Sequence, residues 1–157
     1  MITVLCIGKM KDKALLSLQE EYCKRLQAFT KVQVIEVKDE ANTHAEREAE
    51  ALLIKEKEGE RALAKIRDKD FVVLLDLHGR QWDSEMFAEQ LDKWSTSNAS
   101  LVFVIAGSLG PSAALAARAN ARWQLSALTF THLMTRVLVL EQIYRAFMIL
   151  GGRNYHK

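Results

Sequence analysis

The chain has 157 residues, 49% hydrophobic and 27% charged, with a formal charge of +2. That length suits one domain with a core large enough to do without disulfide staples, and the composition is that of an ordinary globular protein. So small a net charge does not by itself announce nucleic-acid binding, which must rest on local clustering.

Ile2 to Ile7 is a short β-branched run closed by Gly8, which reads as a buried first strand. Its start is apolar but lacks a basic leader and a cleavage site, and no later stretch approaches the roughly 20 apolar residues of a membrane span. A cytoplasmic protein is expected. Gly8-Lys9 opens a turn into a helix from about Lys13 to Phe29, with Leu15, Leu18, Tyr22, Leu26 and Phe29 inward. Cys6 and Cys23 have no C-x-x-C partner and no ligand-like spacing to histidine, so a reduced, metal-free chain is expected. Val32 to Val37 reads as a second strand, with Asp39 to Asn42 as its exit.

From Thr43 to about Arg67 the chain is at its most charged, with opposite charges three and four apart as a solvated helix uses them. Ala49, Leu52, Leu53, Ala62, Leu63 and Ile66 are its docking positions. Phe71 to Asp76 is a continuous apolar run, the pattern of a strand covered on both faces, and it ends in the turn Leu77-His78-Gly79-Arg80. Asp83 or Ser84 caps the next helix, with Phe87, Leu91 and Trp94 inward. Leu101 to Ala106 repeats the strand pattern and runs into Gly107-Ser108-Leu109-Gly110, with Pro111 fitting the first turn of an alanine-rich helix over 112–120. A last strand at Trp123 to Leu128 precedes a helix from about Leu133 to Leu150, whose face is Leu133, Val137, Leu140, Ile143, Tyr144, Phe147 and Ile149. Strands alternate with helices throughout, which predicts a single α/β domain with a mainly parallel sheet flanked by helices.

In such sheets ligands sit beyond the carboxyl ends of strands, so the loops at Leu75 to Arg80, Ala106 to Pro111 and Leu125 to His132 are the site candidates. None carries G-x-G-x-x-G or G-x-x-x-x-G-K-[ST], which leaves an oxidoreductase or a nucleotide triphosphate site remote. On composition alone, Leu125-Ser126-Ala127-Leu128-Thr129-Phe130 is more often a buried strand and turn than a cofactor loop, although its apolar, small-residue character suits an adenine slot. Past Thr131, Arg136, Arg145, Arg153 and Lys157 outnumber Glu141, and His132, Tyr144, Tyr155 and His156 add rings and donors. Arginine forks suit phosphate and flat rings stack an unstacked base. The plainer alternatives are a pairing of Arg136 and Arg145 with Glu141 or an ordinary solvated helix face for them, a core role for Tyr144, and a disordered tail at Tyr155-His156.

The hexapeptide at 125–130, the segment Arg136-Val137-Leu138-Val139-Leu140-Glu141-Gln142-Ile143-Tyr144-Arg145-Ala146 and the terminal Tyr155-His156-Lys157 closely resemble the ribosomal RNA large subunit methyltransferase H family. Ile7-Gly8-Lys9, Lys57-Glu58-Gly59, Leu75-Asp76 and Ile105-Ala106-Gly107-Ser108-Leu109-Gly110 extend the resemblance over nearly the whole chain. That family belongs to the SPOUT superfamily, so the resemblance implies a carboxyl-terminal trefoil knot, which no sequence pattern shows. It also implies methylation of N3 of a pseudouridine in 23S ribosomal RNA, on assembled ribosomes, by a homodimer using S-adenosylmethionine.

By the same resemblance, Leu75, Ala106, Gly107 and Leu125 to Phe130 (Ser126, Ala127, Leu128 and Thr129 between them) are cofactor-binding. From their own chemistry, Tyr155, His156 and Arg153 are expected to be catalytic, and His132, Arg136, Arg145 and Lys157 to face RNA. No metal or membrane partner is implied. The chain departs from the family where Ala106-Gly107 replaces Gly-Gly and Thr131-His132 replaces Pro-His; Ala106 fits if it keeps negative φ. His156 is a possible general base because imidazoles titrate near neutrality, and positioning by Tyr155 and His156 with proton loss to water is equally consistent. A ribosome-binding module without chemistry and a SPOUT enzyme for tRNA are the rival readings. The apolar surplus at Leu138, Val139, Phe147 and Met148 is expected to serve the dimer.

Overall fold

A computed structural model describes residues 1–41 and 46–157. Strands β1 (Ile2–Ile7), β2 (Val32–Val37), β3 (Phe71–Arg80), β4 (Leu101–Ile105) and β5 (Ala121–Trp123) form one sheet in the order β2-β1-β4-β3-β5, every pair parallel. β1 and β4 lie inside the sheet and are buried along their whole length, as a strand covered on both faces must be.

Successive residues of these strands feed two separate cores. Val4, Cys6, Phe103 and Ile105 join Leu26, Phe87, Leu91, Val139 and Ile143 on one face, beneath α1 (Lys13–Leu26), α3 (Ser84–Ser97) and α5 (His132–Leu150). Leu5, Ile7, Val102 and Val104 join Ala62 and Leu115 on the other, beneath α2 (Glu48–Leu63) and α4 (Ala113–Arg118).

The helices depart from expectation in informative ways. α1 ends at Leu26, and its buried positions are Gln19 and Leu26 while Leu18 is exposed. The inner face is therefore turned toward a polar residue, for a reason that lies on α5. Leu52 and Leu53 of α2 are likewise exposed, and Glu58, Gly59 and Ala62 do the docking. Gly59 is required there, since a Cβ would stand 2.2 Å from Ser112 Oγ. The expected start of this helix at Thr43, with Asn42, His44 and Ala45, lies outside the described residues. Pro111 precedes α4, whose cap is Ser112.

α5 packs between α1 and α3. Val139 is fully buried in the core, Phe147 stacks on Phe29 at 5.4 Å, and Leu138 lines a cavity. Much of the apolar surplus expected to serve a dimer is thus used inside the chain, because this helix has two helical neighbours. No helix among the described residues is long and apolar enough to cross a membrane.

Candidate active site

The parallel order brings the carboxyl ends of β4, β3 and β5 side by side. β5 is shorter than expected and stops at Trp123, so the hexapeptide 125–130 is loop and not strand. Its neighbour β3 breaks register here: Trp123 pairs with both Leu75 and Arg80, and Asp76 to Gly79 stand out between them. Gly79 permits this, because a Cβ would come within 2.6 Å of the Arg122 carbonyl carbon. Asp76 braces the bulge by accepting from Arg122 Nε at 2.6 Å and from the His78 amide at 2.9 Å.

These loops enclose a cavity of about 920 Å³. Leu75, Ala106, Gly107, Leu125, Ser126, Leu128, Thr129 and Phe130 all line it, so eight of the nine residues expected to hold the cofactor meet around one space. Ala127 is the exception; it is exposed and outside the lining. No described non-glycine residue has positive φ, so Ala106 meets the condition for tolerance. The left-handed bend falls on Gly110, at φ 89°. At Gly107 a Cβ would lie 3.1 Å from Glu58 Oε1, so the glycine lets that carboxylate pack close without shifting. Burial raises the Glu58 carboxyl above its usual range, partly offset by the Glu40 amide that donates to it. Thr131, at φ −60°, sits where a proline would also fit, and its hydroxyl caps α5 by accepting from the Met134 amide at 3.3 Å.

The residues expected to face RNA separate into two groups. Arg136 does not face it. It is completely buried, with Nη1 on Glu36 Oε2 at 2.5 Å and on Gln19 Oε1 at 3.4 Å, and Nη2 on the Gly8 carbonyl at 3.1 Å. This corrects the sequence reading, and the reason is charge: a guanidinium inside the molecule needs its acceptors gathered round it, which is why α1 turns Gln19 inward. His132 lines the cavity wall, where burial first and Arg136 second hold its pKa below the ordinary value. Lys157 is exposed.

The tail closes back onto α5. Arg145 donates from Nε at 3.1 Å and from Nη2 at 2.5 Å to Glu141 Oε1, the pairing considered as its plainer alternative. Tyr155 donates to the same oxygen at 3.2 Å and packs edge-on against Tyr144 at 4.9 Å. Burial, the Tyr22 hydrogen bond and Glu141 hold the Tyr155 phenol well above its ordinary value, so it stays protonated. Arg153 lies apart, its guanidinium 5.0 Å from the Phe29 ring centre. His156 borders a second cavity of about 580 Å³ that shares Trp123, Leu125, Ser126 and Phe130 with the first. The tail and the loop at 125–130 therefore flank adjoining spaces.

The family model described as predicted SPOUT methyltransferase matches residues 1–156. The chain belongs to the SPOUT methyltransferase family. It is 46% identical to "Ribosomal RNA large subunit methyltransferase H" of Clostridium acetobutylicum, 45% to that of Latilactobacillus sakei and 46% to that of Bacillus cytotoxicus, in each case over 157 residues and 99% of both chains. Within this SPOUT chain, sequence reasoning missed Glu58, Asp76 and Gln19. Only Glu58 and Asp76 carried a signal, lying inside the segments Lys57-Glu58-Gly59 and Leu75-Asp76.

Proposed function

We propose that this chain is an S-adenosylmethionine-dependent methyltransferase that methylates N3 of a pseudouridine in 23S ribosomal RNA, acting on the assembled ribosome as a homodimer whose carboxyl-terminal segment forms a trefoil knot. The observation that carries this reading is the pair of adjoining cavities, one walled by loop 125–130 and the other bordered by His156. The first fits the cofactor: Leu75, Leu125, Leu128 and Phe130 offer apolar surface for adenine, and Ala106 and Gly107 line the same space. When bound, the cofactor supplies an electrophilic methyl group on a sulfonium that leaves without needing a proton.

The chain's own residues then have mostly to align an electron pair with that methyl group, a task worth several powers of ten in rate. Arg153 and Lys157 are the two exposed cations of the tail and suit phosphate. Two cations make a weak electrostatic footprint, so recognition falls to a preassembled partner.

The test is incubation of the protein and S-adenosylmethionine with ribosomes that carry pseudouridine but lack its methyl group, followed by nucleoside mass spectrometry. Methylated pseudouridine in 23S RNA is expected, with free RNA a poor substrate. Methylated tRNA would replace this reading with a different RNA target, and binding without transfer would replace it with a module lacking chemistry.

A further inference from the structure

The contact between Arg145 and His156 decides which nitrogen of the histidine ring bears a hydrogen. Arg145 Nη1 lies 3.2 Å from His156 Nδ1. A guanidinium has five N–H donors and no lone pair, so this contact is a hydrogen bond only when arginine donates and Nδ1 is bare. In the neutral ring the hydrogen then sits on Nε2. Glu85 Oε1, 3.8 Å from Nε2, favours a hydrogen on the same side.

Arg145 is held in place for this. Two of its nitrogens are on Glu141 Oε1, and its guanidinium carbon lies 4.7 Å from the Tyr155 ring centre. Glu141 is itself mostly buried, accepting from Tyr155 on one oxygen and from Gln142 Nε2 at 2.9 Å on the other. The chain of control runs from Glu141 to Arg145 to the imidazole.

We propose that His156 acts as a neutral Nε2–H donor to a carbonyl oxygen of the target base and does not remove its proton, with Arg145 and Glu141 as positioning residues that set this tautomer. The inference rests on the methyltransferase reading above. An imide nitrogen stands between two carbonyls, and loss of its proton to water spreads negative charge over the nitrogen and both oxygens. A donor fixed on one oxygen binds that anion more strongly than the neutral ring, which lowers the cost of forming it. The nitrogen's electron pair then forms the new N–C bond while the methyl–sulfur pair stays on sulfur. A neutral imidazole serves as an electrophile in this way when its surroundings fix the tautomer.

Two measurements test it. In protein labelled with ¹⁵N-histidine and free of ligands, imidazole NMR should show His156 as the Nε2–H tautomer, with the resonance assigned by its loss in His156→Gln. Arg145→Leu should give a mixture of tautomers. A wild-type ring protonated on Nδ1 overturns the proposal.

On ribosomes, His156→Gln keeps an N–H donor but has no basic nitrogen. It should retain turnover within about tenfold of wild type, while His156→Ala loses about 100-fold, the usual cost of removing one such donor. Equal losses in the two variants, with cofactor binding by calorimetry intact in both, overturn the donor role alone. A wild-type protein that transfers no methyl group to ribosomes overturns the enzyme reading together with it.

Discussion

Arg136 shows how a residue can invite one role in the sequence and hold another in the fold. Its partners are 100, 117 and 128 residues away, and helical periodicity carries no information on contacts at that range. Arg136→Leu leaves Glu36 without its ion-pair partner, with only the Met10 amide still donating to it, and takes the guanidinium from the Gly8 carbonyl. The expected loss is about 2 kcal/mol by urea denaturation, below the usual figure for a fully buried pair because Glu36 keeps 36% of its side chain exposed. Ribosome affinity at equal folded fraction should be unchanged, and a weaker affinity would return Arg136 to the RNA surface.

Glu36 carries the pH dependence of the same contact. Burial alone would raise its carboxyl, but Arg136 and the Met10 amide outweigh that, so the folded value lies below the ordinary one. A depressed carboxylate stabilises the fold above its unfolded pKa, and that stability is lost as pH falls through the folded one. Denaturation midpoints should therefore drop on acidification below the ordinary glutamate range, and the drop should be smaller in Glu36→Gln. Identical slopes in the two proteins would show that the pair does not drive the loss.

Among the elements, the strands were the most legible because a doubly covered parallel strand is written as an unbroken apolar run, as in Phe71 to Leu75 and Leu101 to Ile105. The capped helix α3 was legible too, since Asp83 accepts from the Met86 amide at 2.8 Å as its sequence position implied. Helix faces read less well, because polar residues such as Gln19 and Glu58 are buried to serve a distant partner and leave leucines outside. The bulge at Asp76 to Gly79 left only a glycine as its trace. Gly79→Ala forces a Cβ into the Arg122 backbone, so β3 and β5 must separate locally. We expect a loss of about 2 kcal/mol or more, accompanied by weaker cofactor binding in calorimetry because Leu77 and His78 line the same cavity. Unchanged binding would mean that the bulge does not shape the pocket.

For the molecule as a whole, the meeting of three loops at neighbouring strand ends around one cavity could be read in the sequence, and the tail's fold back onto Glu141 could not. The exposed apolar side chains nearest the cavity are Leu77, Leu128 and Phe130, with Leu128 70% exposed. Apolar surface gathered at a cavity mouth suits an interaction site, and a second copy is the occupant that the proposed homodimer predicts for it. Light scattering should give twice the chain mass for the wild type, and Leu128→Glu should shift the population toward the monomer. A monomeric wild type at micromolar concentration would sink the dimer.

The arginine walled in by β1, β2 and α1 also bears on the order in which this chain can be assembled. The first two strands emerge from the synthesis machinery long before residue 136, and until that residue arrives the Glu36 carboxylate lacks its counter-charge and the hollow beneath α5 stays open. The amino-terminal half must wait for α5 to be made. A chain cut after residue 131 should therefore remain a protease-sensitive, loosely collapsed species.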